Sequence, residues 1–401
     1  MANNFENPSL NIDLSAPDIT DTEIAAVAAV LRTPRLSLGL ELDAFERELA
    51  AYHSLPHAVA VSSGTAALHL ALLTLGIGEG DEVIVPSFAF IAVANAVLQV
   101  RATPVFAEID AVTLNLDPAA VERAITPRTR AILVVHTFGV PAELDALQRF
   151  ARHHALVLIE DACEAIGARF GDPADPRRVG SFGDLAVLGF YPNKQLTTGE
   201  GGAVLARDPA HADRLRSLRN QGRGPEQQAF LDGLEGRTST AGWLNHTEVG
   251  FNYRLSEIAC ALGRVQLARI DEILALRRAA AERYHALLSG IPDLELPPLV
   301  LPHRIISWFV YVVRLPQLPH DAGLRDRVHA ILADQGIATG RYFAPIHLQP
   351  AWRNRPSAAN AYLPITEDLA RRTLALPFFN RITLHQQEQV AAALRRALAD
   401  D

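Results

Sequence analysis

Lys194 is the only lysine among the 37 lysine and arginine residues of the chain. Arginine stays protonated in proteins and is no nucleophile, whereas a lysine amine that loses its proton can attack a carbonyl and form a Schiff base. A sole lysine in an arginine-biased chain therefore points to covalent chemistry; the plainer alternative is a surface lysine in a loop. Apolar runs at 185–190 and 203–206 flank Tyr191-Pro192 and Gly199-Glu200-Gly201-Gly202. That pattern predicts two short strands holding the lysine on a polar, glycine-rich connection.

Three other stretches carry chemistry-bearing residues. Ser62-Ser63-Gly64-Thr65 lies between a short apolar run and a helix that is apolar nearly all round, so its backbone N–H groups and the helix N-terminus could receive a phosphate. Gly64 allows close approach and Thr65 adds a hydroxyl; an ordinary helix cap is the alternative. This turn has the spacing of neither a Walker A loop nor a dinucleotide fingerprint. Asp161 ends the apolar run 156–160, which projects its carboxylate from the C-terminal edge of a parallel sheet, where ligands of such folds bind. A carboxylate there can keep a pyridine nitrogen protonated, and Glu164, three residues on, can share the pocket. The alternatives are a cap for Asp161, a solvated helix residue for Glu164, or a metal site, although no HExxH or CxxC pattern accompanies them. Phe88, just after a strand, is placed to cover a flat ligand, with Phe90 read as core. A phosphate cradle, a ring-nitrogen carboxylate and an amine nucleophile together describe pyridoxal 5′-phosphate (PLP).

The elements that must position these residues read as α/β. With 401 residues, 49% hydrophobic and 20% charged, the chain has an ordinary soluble-enzyme composition and length for two lobes. A net charge of −8 and dispersed arginines argue against nucleic acid as a partner. Two distant cysteines, Cys163 and Cys260, fit a reduced cytoplasmic setting, and neither a signal peptide nor a membrane-length apolar run is evident. After an arm at 1–18, Thr20-Asp21-Thr22-Glu23 reads as a capping box that opens a helix, and a second helix runs from 41 to about 52. Strand-like runs at 57–61, 82–85, 104–109, 131–136 and 156–160 alternate with helices, which implies a mainly parallel sheet covered on both faces and completed by the lysine hairpin. An arginine-rich helix at 211–222 and a polar loop at 223–245, of a length typical of lids or partner contacts, follow. Residues 1–255 thus form a large cofactor-binding domain with its N-terminal arm. Residues 256–401 form a connecting amphipathic segment (256–288) and a smaller α+β domain: a strand at 308–315, a helix at 324–335, a strand at 338–343 and a helix at 384–401.

Four segments resemble the DegT/DnrJ/EryC1/StrS family of sugar aminotransferases. They are Ser62-Ser63-Gly64-Thr65-Ala66-Ala67-Leu68, Glu160-Asp161-Ala162-Cys163-Glu164-Ala165, Phe190-Tyr191-Pro192-Asn193-Lys194-Gln195 with Thr198–Gly202, and Gly250-Phe251-Asn252-Tyr253-Arg254-Leu255. The similarity runs from about residue 36 to the C-terminus and includes Pro345-Ile346-His347-Leu348-Gln349-Pro350. The resemblance implies a fold-type I, aspartate-aminotransferase-like homodimer with active sites at the subunit interface. Lys194 would form the Schiff base with PLP and shuttle protons, and Asp161 would hold the pyridine nitrogen. Gly64 and Thr65 would bind phosphate, Phe88 would stack on the ring, Glu164 would stand near the ring hydroxyl, and Asn252 would reach the phosphate from the neighbouring subunit. Two positions depart from the family pattern: Gly189 stands where a serine is frequent, leaving that phosphate contact absent or made by backbone, and Glu164 stands where many members carry glutamine.

The same resemblance implies glutamate as amino donor and a nucleotide-linked 4-keto or 3-keto deoxyhexose as acceptor. Tyr191, Arg341 and His347, with Arg219 or Arg254, are candidates for substrate recognition; His136 either faces the site or is a satisfied core histidine. Alternatives are a PLP-dependent sugar dehydratase, whose branch of the family replaces the lysine with histidine, and a non-catalytic sugar-binding or regulatory protein on the same fold. A cysteine desulfurase would need a cysteine on a mobile loop, and Cys163 beside Asp161 is badly placed for that.

Overall fold

The structure, a computed structural model, describes residues 11–224, 246–317 and 323–399; most of the polar loop expected at 223–245 lies outside them. The capping box forms as expected: the Thr20 hydroxyl caps the helix Asp21–Leu31, and the Thr20 backbone N–H donates to Glu23 Oε2 at 2.9 Å. The strands, in chain order, are β1 (His57–Val61), β2 (Glu82–Pro86), β3 (Thr103–Ala107), β4 (Thr129–Val135), β5 (Val157–Asp161), β6 (Arg169–Phe170), β7 (Arg177–Arg178), β8 (Leu185–Gly189), β9 (Gly202–Ala206), β10 (Arg304–Ile305), β11 (Tyr311–Arg314) and β12 (Thr373–Leu376).

Seven of them form one sheet in the order β1-β9-β8-β5-β4-β2-β3. All its neighbours run parallel except at β9, which is antiparallel to both β1 and β8. Successive side chains point to opposite faces of a strand. Accordingly Ile132 and Val134 join one apolar core, with Ala60, Leu158 and Leu188, while Ala131, Leu133 and Val135 join another, with Val59, Ile159 and Val187. Burial on both faces explains why these strands read as continuous apolar runs rather than alternating ones. The helix Gly64–Thr74 is buried along nearly its whole length against the second core. Because β9 alone is reversed, the C-terminal ends of β1, β5 and β8 share one edge of the sheet. That edge carries the turn 62–65, Asp161 and the start of the lysine loop.

The C-terminal part has its own core, built from Tyr284, Trp308, Tyr311, Leu332, Leu376 and Leu394 among others. The connecting segment is two helices, Glu257–Ala268 and Ile270–Leu288, meeting at Arg269. Residues 338–343 form no strand: only Gly340 bridges Ala375. The strand that pairs with β11 is instead β12. It follows the helix Pro364–Arg372 without any turn residue between them, so no local punctuation announces it.

His53, 1% exposed, packs under the sheet with Nδ1 3.2 Å from the Val179 carbonyl. Burial, reinforced by Arg178, lowers its pKa from 6.5 to about 4. In that interval the unfolded chain binds a proton that the folded chain refuses, so stability falls as pH falls through it, by on the order of 3 kcal/mol. We expect His53→Asn to show a shallower loss of thermal midpoint than the wild type between about pH 7 and pH 4.5, checked by calorimetry.

Candidate active site

A cavity of about 540 Å3 opens at the shared strand edge, within the size range of small-molecule sites. Ser63, Gly64 and Thr65 from the turn after β1 line it, as do Asp161, Cys163 and Glu164 after β5, Gly189 to Tyr191 with Asn193 and Lys194 after β8, and Phe309, Tyr342 and Phe343 from the C-terminal part.

The β8–β9 hairpin pairs from Leu185↔Ala206 to Gly189↔Gly202, so the residues between leave the sheet and carry Lys194 over the cavity. A Cβ on Gly202 would sit 2.6 Å from the Ser63 carbonyl carbon and oxygen; glycine there lets the hairpin close onto the 62–65 turn. The Lys194 backbone N–H donates to the Tyr191 carbonyl at 2.9 Å. Its Nζ lies 3.5 Å from Glu164 Oε1 and 3.9 Å from the centre of the Phe309 ring. Glu164 is buried, and its Oε2 accepts from the Phe138 N–H at 2.9 Å. Burial pushes the Glu164 carboxyl above the ordinary range, and the opposing pull of Lys194 and the Phe138 N–H does not cancel this. Asp161 is buried at the end of β5, with Oδ1 accepting from the Cys163 N–H at 3.0 Å. Ser63 caps the helix Gly64–Thr74, its hydroxyl accepting from the Ala66 N–H at 3.0 Å. The first N–H groups of a helix have no intrahelical partner, so a helix start lining the cavity is suited to receive an anion.

An amine nucleophile, a buried carboxylate and a helix N-terminus thus converge on one cavity, an arrangement suited to a ligand bearing carbonyl, basic ring nitrogen and phosphate. The sequence profile of the DegT/DnrJ/EryC1/StrS aminotransferase family matches residues 17–395. The chain belongs to that family. It is 40% identical over 390 residues (97% of this chain, 95% of the relative) to dTDP-3-amino-3,4,6-trideoxy-alpha-D-glucose transaminase of Streptomyces venezuelae. It is also 40% identical to the erythromycin biosynthesis sensory transduction protein EryC1 of Saccharopolyspora erythraea, over 89% of this chain and 90% of the relative. The crystal structure of S. venezuelae DesV in complex with ketimine intermediate superposes with a TM-score of 0.83 at 39% identity, covering 96% of this chain and 98% of that one. The fold is accordingly the α/β fold of the PLP-dependent sugar aminotransferases, fold type I.

Within this aminotransferase fold the expected residues fall both inside and outside the cavity of this chain. Phe88 does not line the cavity. It is fully buried, with its ring edge-on to Phe138 and Phe343, whereas Phe90 is 63% exposed and lines the cavity. A continued strand would put both rings on one face, but the chain bends at 87–89 and sends Phe88 inward. Arg341 is half-exposed, lies 3.6 Å from Asp326 and does not reach the cavity lining. His347 is buried between Ser87 Oγ, 2.7 Å from Nδ1, and Glu367, 3.4 Å from Nε2. Arg219 pairs in the core with Glu46 and the Ala60 carbonyl, and Arg254 donates to Asn220 Oδ1 at 2.7 Å. His136 is a satisfied core residue: Nδ1 accepts from the Ala142 N–H at 3.1 Å, which leaves Nε2–H to donate to Glu160 at 3.1 Å. Asn252 is exposed and bridges Asn220 through the backbone, away from the cavity of its own chain.

Gln195, Ser307, Phe309 and Tyr342 went unnoticed in the sequence. The Gln195 amide ties the lysine loop to the Glu164 carbonyl at 2.7 Å and to Ser307, carbonyl and hydroxyl, at 3.1 and 3.0 Å. The polar glutamine beside an apolar Leu196 was the available hint.

Gly189, a departure from the resemblance, is explained by its neighbour. A Cβ there would lie 3.1 Å from both Cβ and Sγ of Cys163, and one on Gly64 would lie 3.0 Å from the same Sγ. Burial, with Asp161 adjacent, pushes the thiol pKa far up, so Cys163 acts as a neutral wedge between cradle and hairpin. We expect Gly189→Ser to lower stability by about 1–3 kcal/mol through overpacking, and Cys163→Ala, which removes the Sγ contact but keeps the Cβ contact, to recover part of that loss in the double variant, measured by denaturant unfolding.

Proposed function

We propose that this protein is a PLP-dependent aminotransferase that moves an amino group from an amino acid, with glutamate the favoured donor, to the 3-keto or 4-keto carbon of a nucleotide-linked deoxyhexose. The observation that carries this reading is the placement of the chain's only lysine in one cavity with Asp161 and the Ser63–Thr65 helix start. The donor set fits PLP: an amine for its aldehyde, a carboxylate for its ring nitrogen, and a capped helix N-terminus with Thr65 for its phosphate. Phe90, in place of Phe88, supplies the exposed aromatic face.

When bound, PLP supplies an aldehyde that condenses with amines and a protonated ring that withdraws electrons from the adjacent carbon. Asp161 would hold the ring nitrogen, where a carboxylate keeps it protonated through a charge-assisted hydrogen bond. Lys194 Nζ removes the proton from the donor's α-carbon and, in the second half of the cycle, delivers one to the sugar carbon that receives nitrogen. Glu164, its carboxyl pushed above the ordinary range by burial, stands where glutamine would offer an amide, with Oε1 3.5 Å from Lys194 Nζ. Phe309, Tyr342 and Phe343 wall off water on the side facing the C-terminal part. Tyr191, half-exposed at the mouth, is placed to meet the sugar. Residues 1–255 carry the cradle and the lysine, and residues 256–401 close the cavity. The exposed Asn252 fits a role across a homodimer interface, and the free cysteines Cys163 and Cys260 fit a cytoplasmic setting.

The dehydratase alternative requires histidine at the lysine position, and the amine at 194 disfavours it. A non-catalytic sugar-binding protein would have no use for that amine. The test supplies PLP, glutamate and dTDP-linked 3-keto and 4-keto deoxyhexoses, and follows 2-oxoglutarate together with the sugar product by mass spectrometry. Equimolar 2-oxoglutarate and amino sugar support the proposal; sugar binding without amine transfer, or loss of water from the sugar, refutes it.

A further inference from the structure

Behind the lysine loop lies a buried cation whose hydrogen bonds among the described residues all go to carbonyls, with the Phe378 ring 5.7 Å from its guanidinium carbon. Arg277, on the helix Ile270–Leu288, is 2% exposed. Among the described residues it makes no ion pair; the carboxylate that acts on it is Asp18, itself engaged by Arg269 and Arg381. Burial pulls its pKa down to about 10, so it stays charged at neutral pH. Burying a charge this way is unfavourable compared with an apolar side chain of the same size, and packing alone gives no reason for it.

The partners supply one. Nη1 donates to the carbonyl of Phe309 at 3.0 Å and to that of Trp308 at 3.4 Å; Nη2 donates to the carbonyls of Asn193 and Lys194, both at 3.4 Å. Lys194 and Phe309 also meet through their side chains in the cavity, ammonium over ring at 3.9 Å. One planar fork therefore holds the backbones at both ends of that contact, a geometry that an ammonium on a flexible stem cannot reproduce.

We propose that Arg277 is a positioning residue for Lys194, clamping the lysine loop and the Phe309 segment so that the amine rests on the Phe309 ring, and tying both to the helix that joins the two parts of the chain. The consequence for turnover rests on the aminotransferase reading above; the clamp itself does not.

Because the chain has a single lysine, acetylation by an N-hydroxysuccinimide ester followed by peptide mapping reports on Lys194, with the N-terminal amine separated by the map. In the cofactor-free protein, Arg277→Met should speed Lys194 acetylation about 3- to 30-fold, the range that corresponds to losing an ammonium–ring contact. Phe309→Leu should speed it equally, and the double variant no further, since both break one contact. Arg277→Lys, whose new amine maps to a different peptide, should fall between wild type and Arg277→Met. With PLP bound, Arg277→Met should lower kcat about 10- to 100-fold while the donor KM stays within about threefold. Wild-type acetylation rates in Arg277→Met, or rates that multiply in the double variant, overturn the proposal. Should Arg277→Met fail to fold, the same comparison with Arg277→Lys and Phe309→Leu decides. If the wild type takes up no PLP, the aminotransferase reading fails while the acetylation result still judges the clamp.

Discussion

Lys194→Ala will abolish amine transfer, lowering kcat by at least about 10³- to 10⁴-fold, because it removes the covalent anchor and the proton carrier together. Lys194→Arg will be just as inactive. It keeps the positive charge beside Glu164 and over Phe309, yet a guanidinium releases no proton at working pH and cannot condense with a carbonyl. The comparison separates charge from chemistry: an arginine variant with residual turnover would mean that the cation alone suffices. Neither change should unfold the protein, since the amine's polar partner is a single carboxylate at 3.5 Å. Single-turnover kinetics with glutamate, alongside calorimetry of each variant, checks both statements.

Glu160→Ala will be the most destabilising substitution near the site, by about 3–5 kcal/mol, because it strips a buried set of donors of its common acceptor. The Glu160 carboxylate is fully buried, one residue before Asp161. It accepts from the N–H groups of Gly180, Phe182 and Gly183 at 2.7, 2.7 and 2.6 Å, and from His136 Nε2 at 3.1 Å. Burial raises its pKa, but the His136 contact and these N–H groups outweigh burial and hold it below the ordinary value. The stability it contributes is therefore present above the unfolded-state carboxylate pKa and is lost as pH falls through the lower folded value. Glu160→Gln, which keeps one acceptor oxygen, should cost less. Urea unfolding at neutral pH gives both numbers, and a change within about 1 kcal/mol of wild type for alanine would mean that water replaces the carboxylate.

The sheet was legible because buried strands leave a local signature. Runs such as Ala131-Ile132-Leu133-Val134-Val135 have no polar interruption, and each is bounded by turn residues. The lysine hairpin was legible for the same reason, and Lys194, Asp161 and the 62–65 turn stood out through chemistry that needs those residue types. What escaped depends on long-range geometry. Nothing in the sequence distinguishes Phe88 from Phe90 until the chain bends between them. Arg277 is one of 36 arginines, and only the folded chain brings it to the carbonyls of Lys194 and Phe309. Arg341 and His347 drew attention by residue type, and both are engaged elsewhere, by Asp326 and by Ser87 with Glu367. β12 was missed because it follows a helix directly, and residues 338–343 had the composition of a strand without a strand's partners.

The central claim, that Lys194 is the covalent centre of a PLP site, is tested most directly by adding PLP to the purified protein, reducing with borohydride and mapping the peptides by mass. The account predicts one pyridoxyl group per chain, on the peptide containing Lys194, and its loss when glutamate is added before reduction. A protein that retains no adduct, or carries it only on the N-terminal amine, would contradict it.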